Sequence, residues 1–278
     1  MNHIKTTSFQ YGNDYQNKQV EKYKNRETNH WKYRIEIFNT LLNNVLPNFE
    51  GKQKKDITIV DIGCSIGTFA LETAKNGFNA IGIDFDNDAI NIAKQLAEEE
   101  NIKAKFICGD ISQNIDFNNK IDIAVCFDIF EHLHDDEIGA FLQSIKSRLS
   151  ENGVLIYHTF PTQYDYLFFQ NKLVRFPLIL FSFLGKKAFL NLTKIYAKKI
   201  DILLILFKGK TQKERIKNFA HCNPLTKSRL KNILERAGFE NKIIEVSQLY
   251  DFNKKTQKIF KKHEVSFRNL YGIAYPKK

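Results

Sequence analysis

The stretch Val60-Asp61-Ile62-Gly63-Cys64-Ser65-Ile66-Gly67 leaves a β-branched run, Ile57 to Ile62, and enters a helical pattern that continues to Asn76 and closes at Gly77. A Gly-rich turn between a first strand and its helix lets backbone N–H groups and the positive helix end approach a ligand, because glycine has no Cβ to intervene. Working outward, the pattern repeats. A strand at Asn79 to Asp84 precedes a helix from about Asn87 to Glu100, with Ile90, Ala93, Leu96 and Ala97 on one face. Strands follow at Ala104 to Cys108 and Ile121 to Phe127, then a helix from Asp135 to Leu149 and a strand from Gly153 to His158. Continuous apolar strands alternating with helices of this length predict a doubly wound α/β core, a Rossmann-like and mostly parallel sheet covered on both faces. The alternation stops at Pro161 and resumes with a helix at Pro224 to Ala237, where Gly238 is the C-cap, and final strands at Lys242 to Ser247 and Ser266 to Tyr275. Seven strands result.

Three segments are expected. Residues 51–160 and 216–278 form the core, and residues 1–50 form a helical extension in which Trp31, Ile35, Phe38 and Leu42 recur at spacings of three and four until Pro47. Residues 161–215 form a helical insertion after strand five. The chain has 278 residues and a formal charge of +11, but between Tyr166 and Lys217 ten Lys and two Arg face only Asp201 and Glu214. That segment carries +10, leaving the rest of the chain near neutral. Four widely spaced cysteines (Cys64, Cys108, Cys126, Cys222) without a C-x-x-C pair, and a polar first twenty residues, lead us to expect reduced thiols, a cytoplasmic setting and no metal-ligand set.

A dinucleotide fingerprint would want glycines at 63, 65 and 68, where the chain has Gly63, Ser65 and Thr68, so a nicotinamide cofactor is disfavoured. The turn instead resembles motif I of the class I S-adenosylmethionine methyltransferases, with Asp61 two before the first Gly and Gly67 four after it. Ser65 departs from the commoner glycine. Three more strand ends extend the resemblance: Asp84 after strand two, Gly109-Asp110-Ile111 after strand three, and Glu131-His132-Leu133 after strand four. The last is similar to the ubiquinone-biosynthesis O-methyltransferases and to many other small-molecule enzymes. The resemblance implies S-adenosylmethionine as cofactor, with Asp61, Gly63, Ser65 and Gly67 around it. It further implies Asp84 on the ribose, Phe85 as an adenine wall, and Asp110, Ile111 and Phe127 nearby. Neither residues 1–50 nor the insertion is explained by it.

Methyl transfer from a sulfonium to a hydroxyl needs alignment and help with one proton. His132 is the leading candidate base and His221 the second; the competing reading makes each a packing or capping residue, and Glu131 a hydrogen-bond partner. Tyr11 or Tyr15 could meet the sulfonium by cation–π attraction, or belong to an ordinary surface helix. No Asn/Asp-Pro-Pro-aromatic motif follows strand four and no Pro-Cys dipeptide occurs, which argues against base methylation. The insertion has apolar bursts too short to span a bilayer, the longest from Phe176 to Leu184. Its readings are an amphipathic surface on an anionic membrane through residues 164–215, or a roof over a hydrophobic acceptor pocket; aliphatic rather than aromatic bursts disfavour nucleic acid. The expected function is methyl transfer to a hydroxyl of a small hydrophobic or lipid-linked acceptor. The alternatives are a nucleic-acid-binding methyltransferase and an idle fold used for binding.

Overall fold

The computed structural model describes residues 13–25, 29–111, 120–162, 183–185, 187–189, 191–192, 195–196, 199, 206, 223–246 and 269–277. Seven strands form one sheet in the order β3-β2-β1-β4-β5-β7-β6. They are β1 (Thr58–Ile62), β2 (Asn79–Asp84), β3 (Lys105–Cys108), β4 (Ile121–Phe127), β5 (Leu149–Thr159), β6 (Phe239–Val246) and β7 (Asn269–Pro276). The first five pair in parallel, whereas β7 is antiparallel to both β5 and β6. The order reverses beside β1, so the β1 turn opens at the switch point where open α/β sheets bind ligands.

The described helices are α1 (Asn13–Lys24), α2 (Asn29–Val45), α3 (Thr68–Lys75), α4 (Asn87–Glu99), α5 (Asp135–Arg148) and α6 (Lys227–Arg236). Strand side chains alternate between the two faces, and each face buries its own helices. On one face Ile59, Ile123, Val125 and Ile156 pack with Phe38 and Leu41 of α2, Leu71 of α3 and Leu96 of α4. On the other, Val60, Ile62, Ala124 and Leu155 pack with Ile138 and Leu142 of α5 and Leu230 and Leu234 of α6. Helix α4 starts where the Asp86 carboxylate accepts the Asp88 and Ala89 N–H groups, satisfying first-turn donors the helix itself cannot.

Two strands begin earlier than expected. Strand β5 begins at Leu149, not Gly153, because Leu149 already pairs with Ile121 before the register shifts to Ile123 opposite Val154. Gly153 is needed at that irregularity: a Cβ there would stand 2.7 Å from the Ile121 carbonyl oxygen. Strand β6 begins at Phe239, with Glu240 and Lys242 exposed, as suits the edge position it holds. Of the extension, Phe38 and Leu42 are buried as their spacing predicts, and Tyr15 lies on α1. Tyr11, His221, the Trp31 side chain and most of residues 161–215 lie outside the described residues.

Candidate active site

The C-terminal ends of β1, β2, β3 and β4 come together around the turn Gly63 to Gly67. Gly63, Ser65 and Gly67 all take positive φ, at 69°, 48° and 80°. Gly67 must be glycine, since a Cβ there would lie 2.5 Å from the Phe106 ring. The Gly63 and Cys64 N–H groups donate to the Ile83 carbonyl at 2.7 and 3.0 Å, which fastens the turn to β2. Beneath it, buried Asp61 accepts the Ala70 N–H of the first α3 turn at 3.1 Å. Burial pushes the Asp61 carboxyl up to about 7, more than the Ala70 N–H lowers it.

Asp84 ends β2 with its carboxylate over the turn. One oxygen accepts the Ser65 N–H at 2.7 Å and the other the Asp86 N–H at 2.9 Å. Each oxygen retains a lone pair for a further donor, which suits a vicinal diol. Burial raises the Asp84 carboxyl despite those two amides. Phe85, next in the chain, leaves 40% of its surface exposed, and Tyr15 of α1 leaves 39%. An anionic diol acceptor, a turn of close-approaching backbone and two exposed aromatic rings fit a nucleoside. Asp110 is half-buried after β3, whereas Ile111 is buried among Ile81 and Ile83. Phe127 is only 5% exposed, enclosed by Phe38, Phe69 and His158.

Beyond β4 the chain makes a 3-10 turn, Phe130–His132, with half-buried His132 at its end. His134 is the N-cap of α5, its N–H donating to the Glu137 carboxylate at 2.8 Å. Glu131 is fully buried: it accepts the Thr159 hydroxyl at 2.6 Å and the Phe160 N–H at 3.3 Å. Burial, reinforced by Asp128, drives its carboxyl well above the ordinary range. The Glu131 carbonyl also accepts the Asn223 N–H at 2.9 Å, and the Asn223 amide donates to the Leu133 carbonyl and to Asp135. The end of β5 and the start of the α6 approach are therefore held at one turn.

Sequence reasoning missed a second polar group beside these residues. Asp128 accepts from Arg34 of α2 and faces His158 at the end of β5. Burial alone would raise the Asp128 carboxyl, but Arg34 and His158 outweigh it and hold the group far below the usual range. No local signal marks this group: Asp128 follows the last residue of β4, His158 stands one before the last of β5, and only the pairing of the two strands brings them together.

A methyltransferase domain family model matches residues 30–242. Ubiquinone biosynthesis O-methyltransferases of Rickettsia bellii and Azorhizobium caulinodans are 28% and 27% identical over 104 and 105 residues, covering 37% and 38% of this chain and 42% and 41% of theirs. The chain thus spans about two fifths of the length of these curated relatives. Among solved structures, a protein from Pyrococcus horikoshii superposes with a TM-score of 0.54 at 16% identity, covering 92% of this chain and 95% of that one. Magnesium protoporphyrin IX methyltransferase from Synechocystis with bound SAH gives 0.52 at 16% identity, with 95% and 97% covered. At such identities the structural likeness speaks for the fold. With a family model over most of its length and the strand-end motifs gathered at one switch point, the chain belongs to the methyltransferase domain family.

Proposed function

We propose that this chain transfers a methyl group from S-adenosylmethionine to a hydroxyl of a small hydrophobic or lipid-linked acceptor. The observation that carries the reading is the Asp84 carboxylate, aimed over the Gly63 to Gly67 turn by the Ser65 and Asp86 amides. In this reading Asp84 takes the ribose hydroxyls and Phe85 lies against the adenine. Asp61, Gly63, Ser65 and Gly67 shape the turn, and Asp110, Ile111 and Phe127 complete its surroundings. The cofactor supplies a methyl on a sulfonium, ready for in-line displacement. The protein aligns the acceptor beyond β4, where His132 is the leading base and His221 the second.

Residues 161–215 cover the acceptor in this proposal and meet an anionic membrane surface through 164–215. The +10 excess of residues 166–217 supports it, as do three exposed apolar side chains, Phe183, Ile195 and Leu206, at 77%, 53% and 73%. No helix among the described residues is long and apolar enough to cross a membrane. The relatives' name adds support for an O-directed reaction. Calorimetry with S-adenosylhomocysteine tests the cofactor: wild type binds and Asp84→Ala loses at least tenfold in affinity, by the worth of hydrogen bonds to a charged group. Equal binding by both proteins rejects the assignment. Methyl-labelled cofactor offered with phenols and alcohols of rising hydrophobicity tests the acceptor, and labelling of RNA instead would favour the nucleic-acid alternative. Cosedimentation with anionic and neutral vesicles tests the surface, which requires a preference for the anionic ones.

A further inference from the structure

His158 is fully buried and both its ring nitrogens are engaged, Nδ1 at 2.7 Å from an Asp128 oxygen and Nε2 at 3.1 Å from the Asn269 side-chain oxygen. From the other Asp128 oxygen the line continues to α2, where Arg34 donates through Nε at 2.7 Å and Nη2 at 2.6 Å. Four side chains, from β7, β5, the residue after β4 and α2, thus cross the edge of the sheet where the parallel strands end. Asp128 holds a left-handed φ of 57°, a strained conformation for a residue with a Cβ, and its N–H is tied to the His158 carbonyl at 2.9 Å. Strain kept at one residue of a polar line marks a place where position is specified. On α1, Tyr15 is 39% exposed and its neighbour Gln16 donates to Asp86 at 3.1 Å. Gln16 thus ties α1 to the β2 side of the Gly turn, and Arg34 ties α2 to the β4 side.

We infer that His158 is a positioning residue for cofactor binding: anchored on Asn269, it holds Asp128 against Arg34 and so fixes α2 beside the nucleoside cleft. The inference rests on reading that cleft as the S-adenosylmethionine site. His158 itself, sealed below Asp128, touches no ligand. Its effect passes through a carboxylate to a helix.

The test is a double-mutant cycle on the full chain, with S-adenosylhomocysteine affinity measured by calorimetry and hydrogen exchange followed over residues 29–45. His158→Phe and Arg34→Met each weaken binding about tenfold, as loss of a hydrogen bond to a charged group does, and each speeds exchange in α2. The double variant is also about tenfold weaker, not a hundredfold, because both changes act through one carboxylate. His158→Asn, whose amide nitrogen stands near the Nδ1 position and can donate to Asp128, recovers part of the affinity. Additive losses, or a folded His158→Phe protein with wild-type affinity, overturn the inference. Should His158→Phe fail to fold, Asn269→Ala, which frees only the far end of the line, takes its place in the cycle under the same criteria. A wild type that binds no S-adenosylhomocysteine removes the cofactor reading and this inference together, whereas normal wild-type binding with additive losses removes the inference alone.

Discussion

Replacing Gly67 by alanine separates two physical costs that the turn structure sets out side by side. The first is conformational: φ at Gly67 is 80°, left-handed, and an L-residue there costs about 1–2 kcal/mol. The second is steric. The new Cβ would stand 2.5 Å from Phe106 Cε1, 2.9 Å from Cζ and 3.0 Å from Ala93 Cβ. The Phe106 ring is buried and already fills the notch at Gly82, where a Cβ would be 2.7 Å from its Cδ1, so it has no free side to retreat to. Overpacking of this kind costs about 1–3 kcal/mol, giving about 2–5 kcal/mol in total for Gly67→Ala. Gly77 provides the control, since its φ is 87° and nothing lies within 4 Å of a built Cβ. Gly77→Ala therefore carries only the conformational cost of about 1–2 kcal/mol. Urea unfolding of the two variants measures the difference. Combining Gly67→Ala with Phe106→Leu should be less destabilising than the sum of the single changes by about 1 kcal/mol or more, through relief of the overlap. Gly67→Ala unfolding at the same urea concentration as Gly77→Ala would refute the steric argument.

Other expectations follow from buried groups. The Asp61 carboxyl is pushed up to about 7 in the folded protein, against about 3.9 in the unfolded chain, so the stability of its neutral form is present below about pH 4 and lost as pH rises through 7. Relative to Asp61→Asn, wild type should lose on the order of 4 kcal/mol across that window, and parallel pH–stability curves would contradict this. Glu131→Gln keeps an acceptor for the Phe160 N–H and a donor for the reversible Thr159 hydroxyl, so it should stay within about 1 kcal/mol of wild type, whereas Glu131→Ala loses about 2–4 kcal/mol. Thermal unfolding that finds the glutamine as damaging as the alanine would reject that view. Asn223→Ala removes two hydrogen bonds made by a residue 4% exposed and should cost about 2 kcal/mol. By contrast, Arg229→Ala breaks a pair exposed at 44% and 50% and should change urea stability by less than about 1 kcal/mol.

The sheet was legible because each strand end in the first half of the chain carries its own punctuation. Asp84 ends β2, and β4 runs from Ile121 to Phe127 as its apolar run predicts. The start of β5 was not legible, since Ser150-Glu151-Asn152-Gly153 reads as a turn and only pairing with Ile121 extends the strand through it. For the candidate site, Asp61, Asp84 and Glu131 could be found because they sit at strand ends beside glycines or a helix start. Arg34, His158 and Asn269 could not. Their meeting depends on the register that sets Phe127 opposite His158 and on the packing of α2, and neither leaves a local pattern. Glu131 illustrates the limit within a single residue: its motif was visible, but its complete burial and its grip on Thr159 and Asn223 emerged only from the fold.

That grip bears on how the protein can vary. Thr159 and Phe160 on one side and Asn223 on the other are tied to the same residue, so both ends of the intervening stretch are fixed at one mooring. A loop whose ends are already joined is insensitive to its own length, as each doubling adds only about 0.6 kcal/mol of closure entropy. Related chains can therefore lengthen, shorten or exchange this stretch while the nucleoside turn keeps its shape. In the proposed function, where this stretch covers the acceptor, acceptor recognition is free to diversify on a frame that does not have to refold to accommodate it.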